Sequence, residues 1–403
     1  MYAACWVAMD IVEVILVLIM MATVGDMKKS ILYFIMLTLL AACSHRQNDS
    51  LHKGEKNLGD KKIEITQIIL PADTTSLRGN FELMDSSLMF IDNMYCRIYE
   101  FSLEDGNLKN TYGGYGQGPG EMTGIMYGSV IHPMDTSMWI LDSSYGVYEF
   151  TPSNGNVRFL KRLGFNFEDV RENDFEAVSN YIPMEMSDFS FTINMIGDSV
   201  IWIPVSIVNR RIDHDISQKP YKAHIFGLTD PESLKIEGLA GKFPQYYKDN
   251  SLRYFDFFDS TVDYPNSRLY VNHAPDSLIY CYDFEGNILS TLGFEPQGVD
   301  RGYTPGFDVE PDIFQNDISH VGANTGLYYD QDTGLLFRTT LTDFPSGNVI
   351  LQAYKENDLV LEQAMPQYFK LLGRSGNSLY GVRFVPLDDG NESSFILYKF
   401  EIN

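Results

Sequence analysis

The sequence lacks the short motifs that mark the common classes of enzyme and nucleotide-binding protein. It contains no Gly-Lys-Ser/Thr phosphate loop, no Gly-x-Ser-x-Gly nucleophile elbow, and neither His-Glu-x-x-His nor Cys-x-x-Cys for a metal or redox site. The glycine-rich stretch 113–122 comes nearest to a dinucleotide fingerprint. Gly-x-Gly-x-x-Gly fails there in each register, because Pro119, Glu121 or Thr123 occupies the last position. We therefore predict no catalytic residue from a motif.

Basic residues are also scarce. The chain of 403 residues carries 30 Lys and Arg against 54 Asp and Glu, a net charge of −24 at pH 7, and no basic cluster interrupts this acidity. Such a surface would repel a polyanion, so we predict that nucleic acid is not a partner. Acidity of this kind mainly favours solubility. It predicts no cofactor, and the binding of a divalent cation is the alternative that it leaves open.

Cysteine is rare in the part of the chain that folds. Of four cysteines, Cys5 and Cys43 belong to the N-terminal region, which leaves Cys96 and Cys281. These two lie in different strand groups and at different positions relative to an Ile-Tyr pair, since Cys96 comes before its pair and Cys281 after. We predict two separate buried thiols rather than a disulfide.

Long apolar runs are confined to the first 42 residues, which end in a secretion signal. Residues 27–30 (Met-Lys-Lys-Ser) form a short basic region, residues 31–40 form the apolar region, and Leu-Ala-Ala at 40–42 precedes Cys43. The stretch 40–43 resembles a bacterial lipobox. This resemblance implies that cleavage exposes Cys43 and that its sulfur carries a diacylglycerol, which would anchor the mature chain in a membrane.

Residues 1–26 stand in front of this signal. Their apolar run 11–24 is interrupted by Glu13 and is shorter than the roughly 18–20 residues that a membrane-spanning helix needs. We predict that the biological start is Met27 and that residues 1–26 are an upstream extension. The alternative is a membrane hairpin.

The segment after Cys43 is polar and rich in Ser, Asn, Asp, Lys and Gly. Such a composition cannot bury a core, so residues 43–62 are predicted to form a flexible tether between the lipid anchor and the folded part. Residues 44–47 lack the acidic run that surface export of such lipoproteins tends to use. An outer-membrane lipoprotein that faces the periplasm is therefore favoured over one that faces the cell surface.

From residue 63 onward, helical periodicity is rare and short alternating strands recur between turn residues. One pattern recurs clearly three times: an apolar strand ending in Asp or Asn, a short turn, a second strand with an aromatic pair, and a Gly-Asn turn. Three weaker copies fill the gaps. The clear copies are 88–107, 138–156 and 268–287, and the weaker copies are 198–227, 326–348 and 378–400.

Six copies of a strand pattern predict an all-β, six-bladed β-propeller over residues 63–403. Such a ring must close, and we predict that residues 63–70 pair with residues 395–402, so that both chain ends share one blade. The glycine-rich stretch 113–122 is interpreted as the connector between the first two blades. The alternative architecture, a pair of β-sandwiches, would need a linker near the middle of the chain, and none is evident.

Two kinds of turn are predicted within the repeats. The pairs at 105–106 (Asp-Gly) and 154–155 (Asn-Gly) are typical of type I′ hairpins. Asp92, Asp142 and Asp330 each end the first strand of a copy. We expect them at equivalent positions, where the carboxylate accepts hydrogen bonds from turn amides.

Together, the repeats and the Gly-Gln-Gly-Pro-Gly-Glu motif at 116–121 resemble the TolB-like or NHL-like six-bladed β-propeller lipoproteins of Bacteroidetes-type bacteria. The resemblance covers most of residues 63–403. The chain departs from the family pattern in two ways. The first strand of the fourth and sixth copies lacks the final Asp or Asn, and residues 165–190 form a long insertion. Such families are largely uncharacterised, so the resemblance implies a fold and a cell-envelope location and supplies no catalytic residue.

Few side chains stand out as candidates for a site. Gln117 and Glu121, together with the hydroxyl of Tyr115, are the polar side chains of the connector, and we predict that they contact a ligand near one rim of the central channel. Scattered histidines could converge on that channel, but none forms a metal-binding pair, so we predict structural roles and no metal site. These histidines are His132, His224, His273 and His320.

The sequence as a whole favours a lipid-anchored cell-envelope β-propeller that acts as a binding or scaffold module for a protein, peptide or glycan. The alternative is an enzyme on the same fold, a lactonase, lyase or hydrolase, with a metal in the channel. A channel in which three or more His, Asp or Glu side chains converge would favour the enzyme. A channel lined by Tyr, Asn and backbone groups would favour binding.

Overall fold

The computed structural model describes residues 54–59, 63–84, 86–132, 136–164, 181–183, 192–196, 200–207, 223–252, 257–305, 315–385 and 394–402. The predicted start at Met27, the signal and Cys43 lie outside the described residues, as does the insertion 165–190 except for 181–183. No helix within the described ranges is long and apolar enough to cross a membrane.

The described strands form six antiparallel sheets. The first sheet contains β2 (Gly79–Met84), β3 (Ser87–Asp92), β4 (Arg97–Ser102) and β5 (Leu108–Gly113), and the second contains β6 (Met126–Ile131), β7 (Met138–Asp142), β8 (Gly146–Thr151) and β9 (Asn156–Arg162). The third contains β10 (Tyr181–Pro183), β11 (Asn194–Ile196), β12 (Val200–Ile207), β13 (Phe226–Asp230) and β14 (Lys235–Ala240), and the fourth contains β15 (Phe258–Asp263), β16 (Arg268–His273), β17 (Ile279–Asp283) and β18 (Ile288–Leu292). The fifth contains β19 (Ala323–Asp330), β20 (Leu335–Leu341), β21 (Val349–Lys355) and β22 (Asp358–Met365), and the sixth contains β23 (Lys370–Ser375), β24 (Ser378–Val385), β25 (Ser394–Ile402) and β1 (Ile63–Leu70). A short helix, α1 (Gln245–Asp249), follows the third sheet and buries Tyr247.

The innermost strands of the six sheets contact one another in a closed ring. The contacts run from β2 through β6, β11, β15, β19 and β23 and return to β2, around a central channel. The predicted six-bladed β-propeller is confirmed. Apolar clusters fill the spaces between adjacent blades, as Ile91 and Phe150 do between the first two. Each blade is therefore covered on both faces, which explains why every residue of β3 is buried.

The closing blade combines both ends of the propeller, as predicted. β1 pairs antiparallel with β25 over its whole length, from Ile63 opposite Ile402 to Leu70 opposite Phe395. Leu70 and Phe395 are both buried, so the pairing adds apolar contact to the hydrogen bonds. Without β1, the edge of β25 would present unpaired N–H and C=O groups.

The hairpins after β4 and β8 differ from the predicted type I′ turns. Gly106 and Gly155 have φ angles of 76° and 66°, but Asp105 and Asn154 do not have positive φ. A type I′ turn needs positive φ at both central residues. The Gly106 N–H instead donates to the carbonyl of Ser102 at 2.9 Å, which closes a longer loop. The prediction is right about the left-handed glycine and wrong about the turn type.

Two of the three aspartates that we predict to be equivalent occupy equivalent places. Asp92 and Asp142 end the second strands β3 and β7 and accept hydrogen bonds from turn amides, those of Tyr95 (2.9 Å) and Gly146 (2.7 Å) respectively. Asp330 instead ends the innermost strand β19, at the opposite end of its blade. The fifth copy is therefore shifted by one strand, because first and second strands of a covered blade carry similar apolar patterns.

Part of the predicted tether is docked on the fifth blade. The Asn57 N–H donates to the carbonyl of Leu359 at 2.9 Å, and the Leu359 N–H donates to the carbonyl of Glu55 at 3.0 Å. The Asp358 carboxylate accepts hydrogen bonds from the Glu55 N–H and the Asn57 side chain. The flexible tether therefore does not extend through residues 54–59. Their polar composition gives no sign that they pair with β22.

Cys96 and Cys281 are free, buried thiols, as predicted. Cys96 lies in the apolar cluster between the first and second blades, and Cys281 lies between the fourth and fifth. Burial raises the pKa of Cys96 to about 11 and also raises the pKa of Cys281. Both thiols are therefore protonated and unreactive at neutral pH.

Candidate functional site

The central channel contains a cavity of about 310 Å³, at the lower end of the range of small-ligand pockets. All six blades contribute to its lining through their innermost strands. The lining mixes charged and neutral polar groups. They are Asn80 and Glu82 from the first blade, Ser129 from the second, Thr192 and Asn194 from the third, Asp259, Ser260, Thr261 and Tyr264 from the fourth, Tyr328, Tyr329 and Gln331 from the fifth, and Lys370 from the sixth.

Asp259 connects the fourth blade to both of its neighbours. Its carboxylate accepts hydrogen bonds from the Thr192 hydroxyl, from the next N–H on β15 (2.9 Å) and from the Leu327 N–H (2.8 Å). Two residues further along, the Thr261 hydroxyl accepts the Tyr329 N–H at 3.0 Å. Leu327 and Tyr329 lie in β19, the innermost strand of its sheet, and their N–H groups point to the edge that pairs with no further strand. Alternate side chains of β15 accept hydrogen bonds from these N–H groups instead.

Glu82 is the second carboxyl group of the channel and has fewer partners. Its Oε1 accepts a hydrogen bond from the Ser129 hydroxyl at 2.6 Å, which links β2 to β6. Burial raises the pKa of Glu82 to about 7, although the Ser129 hydrogen bond and the charge of Lys370 lower it. Burial also raises the pKa of Asp259, against the hydrogen bond from Thr192 and the charge of Lys370. A fraction of the Glu82 carboxyl groups is therefore protonated at neutral pH.

Lys370 supplies positive charge to the channel. It is the first residue of β23, which lies next to β2 in the ring. Its charge lowers the pKa of Glu82 and of Asp259. Its ammonium group nevertheless makes no hydrogen bond or ion pair with any residue in the described part of the chain. The lining thus combines carboxyl, ammonium, hydroxyl and amide groups in a partly enclosed space, where charges interact more strongly than in water.

The glycine-rich connector links the outermost strand of the first blade to the innermost strand of the second, as predicted. Glu121 Oε2 accepts the Gly118 N–H at 2.7 Å, and a Cβ at Gly116 would lie 2.0 Å from the same oxygen. The carboxylate can approach the backbone this closely because position 116 carries no Cβ. Tyr115 is 68% exposed, and Gln117 is also exposed. None of the three predicted residues lines the channel cavity, and ligand contact at this loop stays a prediction.

The histidines do not converge on the channel, since none of the four lines its cavity. His132 lies beside Trp139, His320 Nδ1 lies 2.9 Å from the Asn316 carbonyl, and His273 is fully buried among aromatic rings. Within the described ranges, no group of three or more His, Cys, Asp or Glu side chains could hold a metal ion.

The sequence does not mark Glu82, Asp259 or Lys370 as channel residues. Its repeat pattern follows the second and third strands of each blade, which are the most apolar, whereas the first strands line the channel. A weak signal does exist, because Glu82 and Asp259 each lie in a short alternating stretch directly before a clear copy of the repeat. In a chain with 54 acidic residues, this signal does not separate channel residues from surface residues.

No protein-family model matches the sequence, and no curated protein matches it either. Two of the solved structures that are similar to this chain come from Bacteroides. A member of the DUF4221 family from Bacteroides vulgatus ATCC 8482 is 14% identical, with a TM-score of 0.62 over 85% of this chain and 99% of that chain. A "Putative exported protein" from Bacteroides fragilis NCTC 9343 is 12% identical, with a TM-score of 0.50 over 86% of this chain and 98% of that chain. At such identities the likeness concerns the fold alone.

Proposed function

We propose that this protein is a lipid-anchored β-propeller of the cell envelope that binds a small polar ligand in its central channel. The observation that carries the proposal is the channel cavity in which Glu82, Asp259 and Lys370 lie among hydroxyl and amide groups. Burying charged groups costs free energy unless partners compensate for the lost water. Clefts that hold such groups with shifted pKa values are good candidates for functional sites.

The size of the cavity limits which of the predicted partners, a protein, a peptide or a glycan, can bind in the channel. A volume of about 310 Å³ accommodates a small molecule but not a folded protein or a long glycan. A peptide or glycan would therefore enter as a short fragment. Binding by exposed loops such as the connector would be a separate property of the outer surface.

The location is part of the same proposal. It is supported by the signal that ends at Cys43 and by the similar protein from Bacteroides fragilis, whose name describes it as exported. The periplasmic side of the outer membrane is favoured because residues 44–47 lack an acidic run. The narrower TolB-like or NHL-like grouping, suggested by the motif at 116–121, belongs to this proposal as well.

Ligand binding in the channel is testable with a library of small polar compounds, namely amino acids, short peptides, monosaccharides and disaccharides. A compound present at 100 times its Kd should raise the free energy of unfolding by about 2.7 kcal/mol, measured as an increase in Tm. Asn80→Phe should abolish this increase, because Asn80 lines the cavity and its side chain makes no hydrogen bond to the described chain.

The matched control for this experiment is Asn110→Phe, which places the same ring on the exposed outermost strand β5 and should retain the increase in Tm. Circular dichroism confirms that both variants fold. If no compound stabilises the wild type, or if each stabilises Asn80→Phe equally, the channel is not the binding site.

The lipid anchor is tested by Cys43→Ala. We expect this variant to move from the membrane fraction to the soluble fraction, because the thioether that carries the lipid cannot form. Cys5→Ala is the matched control and should stay with the membrane, since Cys5 lies before the predicted start. Fractionation followed by immunoblotting measures both variants. Membrane association that survives Cys43→Ala would contradict the anchor.

A single observation favours the enzyme alternative. A carboxyl group whose pKa is about 7 can take up and release a proton at neutral pH, as a general acid or base does. If Glu82 acts in this way, the wild type would consume its ligand and Glu82→Gln would not. Mass spectrometry of each stabilising compound after incubation with the purified protein separates binding from turnover.

A further inference from the structure

We infer that the channel ligand is a small zwitterion, a free α-amino acid or a dipeptide, with its ammonium group at Glu82 and its carboxylate at Lys370. This inference rests on the proposed function, because it names the class of ligand for the same cavity. The observation behind it is that Asp259 has several hydrogen-bond partners within the protein, whereas Glu82 and Lys370 have few or none among the described residues.

Asp259 has its partners within the protein. The Thr192 hydroxyl and two backbone N–H groups donate to it, one of them the Leu327 N–H at 2.8 Å. These donors tie the carboxylate to the third and fifth blades. Asp259 is therefore part of the channel wall, and a ligand that competed for its oxygens would have to separate neighbouring blades.

Glu82 and Lys370 can each form further hydrogen bonds with a ligand. Among the described residues, only Ser129 donates a hydrogen bond to the Glu82 carboxyl, at 2.6 Å, and a carboxylate has room for several. The Lys370 ammonium carries three donors and has no hydrogen-bond partner within the described residues. A ligand that reaches both groups would meet an acceptor on one side and donors on the other.

The positions of these groups select a ligand with both charges. Glu82 lies on β2 and Lys370 on β23, which are neighbours in the ring, and the two side chains do not form an ion pair with each other. A ligand with only a positive charge would be repelled by Lys370, and one with only a negative charge would face the carboxyl groups of Glu82 and Asp259. A zwitterion compensates each charged group and itself brings no net charge into the channel.

The remaining lining fits a ligand of this size and polarity. The Asn80 side chain, on the same strand as Glu82, makes no hydrogen bond within the described chain and can donate to or accept from the middle of the ligand. Asn194 and Ser260 are already bonded to each other at 2.7 Å and form the opposite wall. The cavity of about 310 Å³ leaves room for a short side chain.

Isothermal titration calorimetry of the wild type tests this inference with free α-amino acids and dipeptides of glycine, alanine and serine. Each compound that binds is compared with its N-acetyl derivative and its C-terminal amide, which lack one charge each. We expect each blocked derivative to bind at least about tenfold more weakly, because one charge-assisted hydrogen bond is lost.

The two anchoring groups are tested separately with Glu82→Gln and Lys370→Met. Glu82→Gln should weaken binding of the zwitterion about tenfold and should remove the preference over the N-acetyl derivative only. Lys370→Met should do the same for the C-terminal amide only. Glu64→Gln and Lys399→Met, on exposed positions of the closing blade, are the matched controls and should bind as the wild type does.

A measurement on the wild type alone keeps the inference testable if a channel variant does not fold. An ammonium group placed at Glu82 favours its ionised form, so binding at pH 7 should release protons into the solvent. Titrations in two buffers of different ionisation enthalpy measure this release. The groups that face Glu82 and set its titration are Ser129, Lys370 and Asp259.

The outcomes distinguish this inference from the proposed function. Blocked derivatives that bind as tightly as the zwitterion, or binding without proton release, overturn the inference. A sugar that binds in a manner sensitive to Asn80→Phe, with no response to any zwitterion, also overturns it and leaves the channel function standing. If no compound of any class binds, both fail.

Discussion

Replacing Arg338 with alanine is expected to lower the free energy of unfolding by about 4 kcal/mol. Arg338 lies in β20 and is fully buried. Its guanidinium group donates to the carbonyls of Ser277 and Phe294, both at 2.5 Å, and to the Gln352 side chain and the Tyr354 hydroxyl. Ser277 and Phe294 belong to the fourth blade and its exit loop, so this side chain joins the fourth blade to the fifth.

The cost arises because alanine removes the donor to the Ser277 carbonyl, takes one donor away from Phe294, Gln352 and Tyr354, and opens a cavity between blades. Part of this cost is offset, since a buried guanidinium group is itself unfavourable, and burial lowers the pKa of Arg338. Urea denaturation measures the difference. Arg158→Ala is the matched control and should change stability by less than about 1 kcal/mol, because its ion pair with Glu149 is exposed. A loss below that level in Arg338→Ala would show that the two blades do not depend on this side chain.

Acidification is expected to destabilise the protein through His273, and His273→Phe should remove that effect. The His273 ring is fully buried, and its centroid lies 5.6–5.8 Å from those of Phe243, Tyr247, Phe258 and Tyr280. Neither ring nitrogen has a hydrogen-bond partner among the described residues. Burial lowers the pKa of His273 from 6.5 to about 3.

The direction of the pH effect follows from these values. Between pH 6.5 and pH 3 the unfolded chain binds a proton at His273 that the folded chain does not bind, so stability falls as the pH falls through this window. At pH 4 the loss amounts to about 3 kcal/mol, and above pH 6.5 it vanishes. Burial raises the pKa of carboxyl groups such as Asp276, which also makes stability depend on pH, and the difference between wild type and variant removes their contribution.

The measurement is urea denaturation of wild type and His273→Phe at pH 7.5 and pH 4. We expect the variant to be more stable by about 1–3 kcal/mol at pH 7.5, since phenylalanine leaves no unpaired ring nitrogen. Its advantage should grow by about 3 kcal/mol at pH 4. Phe243→Leu alters the same aromatic cluster without a titrating group and should change stability equally at both pH values. An advantage of His273→Phe that is independent of pH would contradict the assigned burial.

Much of the fold could be predicted from the sequence because the β-propeller is built from local repeats. Each clear copy places an apolar strand, a turn and a second strand within about twenty residues, so alternation and turn residues are enough to find the middle of each blade. The closure was also predictable, since six repeats leave an unpaired apolar strand at each end, and residues 63–70 and 395–402 pair as expected. The errors concern details that neighbouring strands decide, such as the place of Asp330.

The candidate site could not be predicted in the same way. Glu82, Ser129, Asp259 and Lys370 lie on four different blades, far apart in sequence, and only closure of the ring brings their innermost strands around one cavity. Their properties also depend on that closure. The pKa of Glu82 is raised because the other blades exclude water from it, which no local pattern records.

The sequence by itself determined the all-β class, the six blades, the pairing of the chain ends, and the glycine-rich connector between the first two blades, because each of these depends on neighbours in the chain or on a repeated pattern. The tertiary structure alone decided which polar residues face the channel and which group donates a hydrogen bond to the Glu121 carboxylate. At Glu121 the connector folds back so that the carboxylate accepts the Gly118 N–H. A side chain on an innermost strand faces the channel, and its surroundings there come mainly from residues of the other five blades. Its function therefore depends on closure of the ring and not on the local sequence.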